Sequence, residues 1–219
     1  MGRAGKVFLA ISIVTAIAFW ASVPFRPFQA SPVLKWFPVG MLALYVLCRG
    51  RSGREWTLAL ALLFHSIGDV VLDMDGGGLF LFAIGAFLLG HLFYIATFVP
   101  DVRANLRMTR GKRIFVAGIV LYSLVAFPVL LPRVETGMIL PVILYTIAIG
   151  TMVVMSVLPG YRGKWITIGA LLYIASDSLI AVNLFVVDLP ASHYLTWPAY
   201  YAAQALIVAG VLREKSLPA

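Results

Sequence analysis

Phe64-His-Ser-Ile-Gly-Asp-Val-Val-Leu72 sets one aspartate, Asp69, inside an apolar run long enough to cross a bilayer. A second stretch, Tyr173-Ile-Ala-Ser-Asp-Ser-Leu-Ile-Ala181, does the same with Asp177. An ionised carboxylate at the bilayer centre costs about 2.5–3.5 kcal/mol on insertion scales. Two such residues point to use rather than accident. The arrangement that uses both is a single polar pocket, with Asp69 and Asp177 facing each other across it inside a helical membrane protein.

The surrounding composition fits that reading. Of 219 residues, 62% are hydrophobic and only 12% charged, with a mean hydropathy of +0.98. Soluble domains carry about 25% charged residues. A hydrocarbon core of about 30 Å takes about 20 apolar residues per helix, so the chain has room for about seven or eight spans and no sizeable soluble domain. The apolar runs are continuous rather than alternating, which selects helices over a closed barrel. The sequence predicts an all-α membrane protein, a single eight-transmembrane-helix domain with spans near 7–24, 33–48, 56–73, 78–98, 114–131, 137–158, 165–187 and 193–212. Pro24 and Pro27, Arg49 to Arg54, Asp75-Gly-Gly-Gly78, Pro132, Pro159-Gly160 and Pro190 separate them. The first run follows Arg3 and Lys6 as in a signal peptide, but without an evident small-residue cleavage site, so it reads as a retained helix. The single cysteine, Cys48, excludes an internal disulfide and a Cys-based metal cluster.

Basic residues orient the bundle. With eight spans, 14 of the 17 Lys and Arg residues share a side with the N-terminus: Arg3, Lys6, Arg49, Arg51, Arg54, Arg103, Arg107, Arg110, Lys112, Arg113, Arg162, Lys164, Arg213 and Lys215. Only Arg26, Lys35 and Arg133 fall opposite. The positive-inside rule then predicts both termini cytoplasmic in a multi-pass cell-membrane protein, and the compact length without tails suggests a bacterial inner membrane. The net charge of +8 flanks apolar spans, which selects anionic lipid headgroups rather than nucleic acid as its partner. Trp20, Trp36, Trp56, Trp165 and Trp197 lie near span ends, as interface anchors do. Pro128, Pro141 and Pro198 suggest kinks, and Gly85 and Gly90 suggest close helix contact. The third and seventh spans run in the same direction and each carries its aspartate after a small residue, Gly68-Asp69 and Ser176-Asp177, a hint of a duplicated four-helix unit.

The polar residues inside the spans fall on a few faces. His65, Asp69 and Asp73 follow at four-residue spacing and line one side of a helix. Asp73 and Asp75 read as helix-end or turn residues. Tyr173 and Asp177 repeat the spacing, with Ser176 and Ser178 adjacent; His91 and Tyr94 share a face of the fourth span, and Tyr200, Tyr201 and Gln204 make a polar patch on the eighth. Each also has a plain structural reading, as a hydrogen-bonded core residue or a protonated aspartate tying two helices. No phosphate-binding glycine loop, nucleophile elbow or histidine-rich metal set appears, so no cofactor is expected, and a zinc site of His65, His91 and an aspartate is only a weak alternative.

Several of these residues carry a resemblance. Ser66-Ile-Gly-Asp69-x-x-Leu72, then Gly85 and Gly90-His91-x-x-Tyr94, then Gly169-Ala-x-x-Tyr173-x-x-Ser176-Asp177-x-x-Ile180-Ala181, then Tyr200-Tyr201-x-Ala-Gln204-x-Leu-Ile207 resemble the pattern of the YhhN-like lysoplasmalogenase family in order and spacing. Lys35-Trp-Phe-Pro38 is similar to the family's Lys-Pro-x-x motif, with the proline displaced. The resemblance implies an eight-helix hydrolase that cleaves the vinyl ether bond of lysoplasmalogens to a fatty aldehyde and glycerophosphoethanolamine or glycerophosphocholine. It implies Asp69 and Asp177 as catalytic residues, with Lys35, His65, Ser66, His91, Tyr94, Tyr173, Ser176, Tyr200, Tyr201 and Gln204 around the substrate. Vinyl ether hydrolysis needs a proton donor and a carboxylate, and two carboxyls in a low-dielectric pocket favour one proton between them. Two other classes use the same acidic pocket: a proton-coupled transporter and a non-catalytic lipid-binding membrane protein. Consumption of substrate with release of aldehyde separates the enzyme from both.

Overall fold

A computed structural model of the chain describes residues 2–50, 52–74 and 78–215. Arg51 and residues 75–77, with Asp75 and most of the expected glycine turn, lie outside the described residues, as does the side chain of Lys215. Among the described residues there is no strand, and eight helices are long and apolar enough to cross a membrane. They are α1 Arg3–Ser22, α2 Ser31–Arg49, α3 Gly53–Met74, α4 Phe80–Asn105, α5 Arg110–Leu130, α6 Ile139–Met155, α7 Trp165–Phe185 and α8 Ser192–Lys215. A helix satisfies all its backbone polar groups within one segment, which is what lets apolar sequence of this kind enter hydrocarbon.

The breakers act where the sequence places them. Pro24 sits in a 3-10 turn, Val23–Phe25, that finishes α1. Gly160 follows α6 at φ 70°, a left-handed conformation that glycine adopts without steric cost. Thr109 caps α5, its side chain accepting the Lys112 backbone N–H at 3.3 Å. The largest difference from expectation is α4, which runs through Pro100 to Asn105 instead of stopping at 98. Proline removes one helical hydrogen bond but does not forbid continuation. Pro141 falls in the first turn of α6, where a missing N–H costs nothing and no kink is required.

Contacts group the chain into two compact units, Met1–Thr97 and Phe98–Ala219, and each carries its aspartate on a helix that the sequence singled out. In the first unit α2 packs against both α1 and α3. The Ser12 hydroxyl of α1 donates to the Pro38 carbonyl of α2 at 2.5 Å. Thr97 of α4 and Thr57 of α3 join their hydroxyls at 2.9 Å. In the second unit α7 and α8 are the closest pair. A Cβ at Gly169 would meet the Ala203 carbonyl at 2.8 Å, and one at Gly210 the Ile166 backbone nitrogen at 2.9 Å, so only glycine allows the approach. Gly90 plays that part in the first unit, under the His65 ring. Gly85 does not: a Cβ there meets nothing within 4 Å. Trp20, Trp56 and Trp165 are exposed as anchors should be, but Trp197 is buried against the Tyr200 ring and belongs to the core.

Candidate functional site

In the first unit, Asp69 is buried on the face of α3 shared by His65 and Asp73. Lys35 enters from the first turns of α2 and brings its Nζ to 3.7 Å from Asp69 Oδ1 and 4.0 Å from Asp73 Oδ1. Arg26, in the connection before α2, pairs with the same Asp73 oxygen and donates from Nε to Ser31 Oγ at 3.2 Å. Phe19 of α1 backs both cations, with the Arg26 guanidinium 5.0 Å and Lys35 Nζ 5.9 Å from its ring centre. Partial burial lowers the Arg26 guanidinium from its ordinary value, but that value is so high that it stays charged beside Asp73. The result is a line of alternating charge, Arg26, Asp73, Lys35, Asp69, assembled from α2, α3 and the connection before α2.

One helical turn from Asp69, the buried His65 ring lies 5.0 Å from His91 and 5.1 Å from Tyr94 of α4, centre to centre. All three are closed off from solvent. Ser66 is also buried, and its hydroxyl returns to the Leu63 carbonyl at 3.2 Å, a local helical bond. Among the described residues, no group of three or more His, Cys, Asp or Glu gathers as a metal site.

In the second unit, Asp177 is half-buried on α7 and accepts a hydrogen bond from the Tyr145 hydroxyl of α6 on Oδ2. The adjacent Ser178 and Tyr122 hydroxyls lie 2.6 Å apart, reaching α5. Ser176 donates to the Thr196 carbonyl of α8 at 3.1 Å. Tyr173 and Tyr200 are buried and meet edge to face at 5.3 Å, Gln204 is buried beside them on α8, and Tyr201 is half-buried. The expected site residues thus gather in two sets. Lys35, His65, Ser66, Asp69, His91 and Tyr94 lie in the first unit; Tyr173, Ser176, Asp177, Tyr200, Tyr201 and Gln204 lie in the second.

A sequence profile of the YhhN family matches residues 30–211, which include every one of these residues. The chain belongs to the YhhN family. Its relatives carry a consistent name. The mouse protein Lysoplasmalogenase TMEM86B is 30% identical over 194 residues, 88% of this chain and 80% of the relative. A Mycobacterium tuberculosis protein named Lysoplasmalogenase is 32% identical over 170 residues, 75% of this chain and 63% of the relative. Human Lysoplasmalogenase TMEM86A is 26% identical over 204 residues, 86% of this chain and 81% of the relative. No solved structure matches this YhhN chain.

Sequence reasoning missed three residues of this YhhN chain. Asp73 is at a helix end, as read, but its side chain is buried and ion-paired rather than a surface turn residue. Arg26 enters the sequence reading only through the charge asymmetry. The signal was present: Arg26 and Lys35 are two of the three basic residues on the sparse side of the charge asymmetry, and both meet buried carboxylates. The third, Arg133, donates to the Val129 carbonyl at 2.5 Å. Tyr145 is the remaining miss, a single large polar side chain in the otherwise apolar α6.

Proposed function

We propose that this chain is a lysoplasmalogen hydrolase of the membrane, with Asp69 and Asp177 as its acid–base pair in a single eight-helix domain. The observation that carries the reading is the buried Asp69 with its Lys35 partner, in a chain of the YhhN family whose relatives are named lysoplasmalogenase. A carboxylate kept inside an apolar span, with a buried lysine brought to it, is an expensive device that packing alone does not call for.

The chemistry is a hydration followed by collapse. A carboxylic acid transfers its proton to the outer carbon of the vinyl ether, leaving an oxocarbenium ion between the adjacent carbon and the ether oxygen. The second carboxylate stabilises that cation and takes a proton from the water that attacks it. The hemiacetal then breaks its bond to the glycerol oxygen, which leaves protonated, and the alkyl portion departs as an aldehyde. One water is consumed, no electrons change hands, and the acid regains its proton from the one taken up by the base. The products are a fatty aldehyde and glycerophosphoethanolamine or glycerophosphocholine. Electrostatic and acid–base assistance of this type contributes typically 10²–10⁴-fold. His65, His91 and Tyr94 would dry the surroundings of Asp69, and Tyr173, Tyr200, Tyr201 and Gln204 those of Asp177; water-poor walls strengthen every charge interaction beside them.

The charge asymmetry supports a multi-pass protein with both termini cytoplasmic, the basic flanks resting on anionic headgroups. The deciding experiment uses purified protein in detergent with a lysoplasmalogen. Fatty aldehyde and the water-soluble glycerophospho product should appear in equal amounts. A protein that binds or transports the lipid without consuming it would leave both undetected, and the enzymatic reading would fall.

A further inference from the structure

A lysoplasmalogen carries a free hydroxyl on the middle glycerol carbon, between the vinyl ether and the phosphate. We propose that Asp73 and Arg26 form the subsite for this polar end: Asp73 Oδ2 accepts the free hydroxyl and Arg26 holds the phosphate, with the vinyl ether left beside Asp69. This rests on the lysoplasmalogen reading above and adds to it two binding residues that the reaction itself does not use.

The decisive atom is Asp73 Oδ2. The Asp73 side chain is only 1% exposed. Its Oδ1 serves both cations, pairing with Arg26 and lying 4.0 Å from Lys35 Nζ. Oδ2 is closed off from solvent and has no hydrogen-bond partner among the described residues. A buried carboxylate oxygen is costly to leave unpaired. An ion pair that only tied the connection before α2 to α3 would be complete at Oδ1. It gives no reason for a second oxygen that is buried and unanswered. Because both positive charges already stand at Oδ1, the donor that suits Oδ2 is a neutral one, a hydroxyl rather than an ammonium.

Arg26 supplies the matching anion contact. Its Nε donates to Ser31 Oγ at 3.2 Å, one terminal nitrogen pairs with Asp73, and the Phe19 ring lies 5.0 Å from the guanidinium carbon. The group is thus fixed by three contacts. The other terminal nitrogen is left for a further acceptor, and the side chain is 30% exposed. A fixed guanidinium with an open edge matches the oxygens of a phosphate. Arg26 also stands on the side of the sequence that otherwise lacks basic residues, so orientation of the chain does not account for it.

The order of the groups agrees with the order of the lipid. Asp69 and Asp73 lie one turn apart on α3, a rise of about 6 Å. Asp73 is followed only by Met74 in that helix, and Arg26 lies beyond the end of α1 in the connection to α2. A lysolipid in a bilayer holds its phosphate at headgroup level, its glycerol below that and the first chain carbons deeper. Arg26, Asp73 and Asp69 meet these three parts in turn, within one unit of the protein.

Native mass spectrometry of the purified protein tests the subsite without turnover. The probes are a saturated 1-O-alkyl lysophosphocholine, which has no vinyl bond to cleave, its 2-deoxy analogue, and the 1-O-alkylglycerol that lacks the phosphate. Offered in equal amounts, the hydroxyl lipid should be bound over the deoxy lipid by about tenfold or more, since a site built around a hydroxyl rejects the analogue without it. In Asp73→Ala that preference should drop below about threefold. If Asp73→Ala does not fold, Asp73→Asn takes its place with the same threshold: its one oxygen answers Arg26, and its nitrogen cannot accept the hydroxyl hydrogen. Arg26→Gln should likewise lose the preference for the phosphate lipid over the alkylglycerol, and Arg26→Lys should keep part of it. A wild-type preference short of tenfold, no binding of the hydroxyl lipid, or a variant that binds weakly with its preference intact overturns the proposal. None of the probes is hydrolysed. Lost discrimination alongside aldehyde release from a lysoplasmalogen therefore removes the subsite alone, whereas discrimination without aldehyde release keeps the subsite and removes the enzymatic reading.

Discussion

In the N-terminal unit Asp69 is buried, with an ammonium at 3.7 Å and a second ion pair next to it. In the C-terminal unit Asp177 is half-buried and is met by the hydroxyl of Tyr145. The sequence context of the two is alike, a small residue followed by aspartate within an apolar helix, with an aromatic ring four residues before, His65 or Tyr173. The difference lies in the neighbouring helices. The first unit brings basic residues to its carboxylate, whereas α6 in the second brings a phenol. Similar local sequence thus carries two different electrostatic environments, because the groups that meet each carboxylate come from other segments of its own unit.

The comparison breaks most directly at the carboxylates. Asp69→Asn and Asp177→Asn should each lower aldehyde release by roughly 10²–10⁴-fold, and the double variant should be little worse than the worse single, because groups that act as one unit lose their function together. A single variant that keeps more than half of the wild-type rate would make that aspartate structural.

Stability should separate the two changes. Asp69→Asn leaves Lys35 with Asp73 alone, and removing one member of a buried pair typically costs about 3–5 kcal/mol; the remaining carboxylate at 4.0 Å should hold the loss to about 1–3 kcal/mol. Asp177→Asn keeps a side-chain oxygen for the Tyr145 hydroxyl, so its cost should stay below about 1 kcal/mol. Thermal unfolding in detergent gives the order, and equal shifts would erase the distinction between the two environments.

Tyr145→Phe asks how much the phenol contributes. A single hydrogen bond is worth about 1 kcal/mol net, so turnover should fall roughly fivefold while the fold persists. An unchanged rate would mean the phenol serves only to tie α6 to α7. Least affected should be Arg103→Gln, at the C-terminal end of α4. If that arginine only orients the chain, turnover should stay within about twofold. A tenfold loss, about 1.4 kcal/mol, would bring substrate handling to that end of the protein.

Much of this was legible along the chain. Eight spans, most of their ends and the two aspartates follow from hydropathy, breakers and the cost of a charge in hydrocarbon, which are properties of consecutive residues. The shared face of His65, Asp69 and Asp73 follows from helical spacing alone. What sequence could not supply was any pairing between helices. Asp73 is an ordinary helix-end residue until Arg26 is seen beside it, and Tyr145 is an ordinary tyrosine until α6 lies against α7. Gly85 and Gly169 look equally suited to close contact, yet only Gly169 is pressed against a neighbouring backbone. Hydropathy and helical period fix where a helix lies in the membrane and which residues share its face. The partner across that face is fixed by side-chain packing and charge matching between segments far apart in sequence, as Lys35 is from Asp69, and only the tertiary structure decides it.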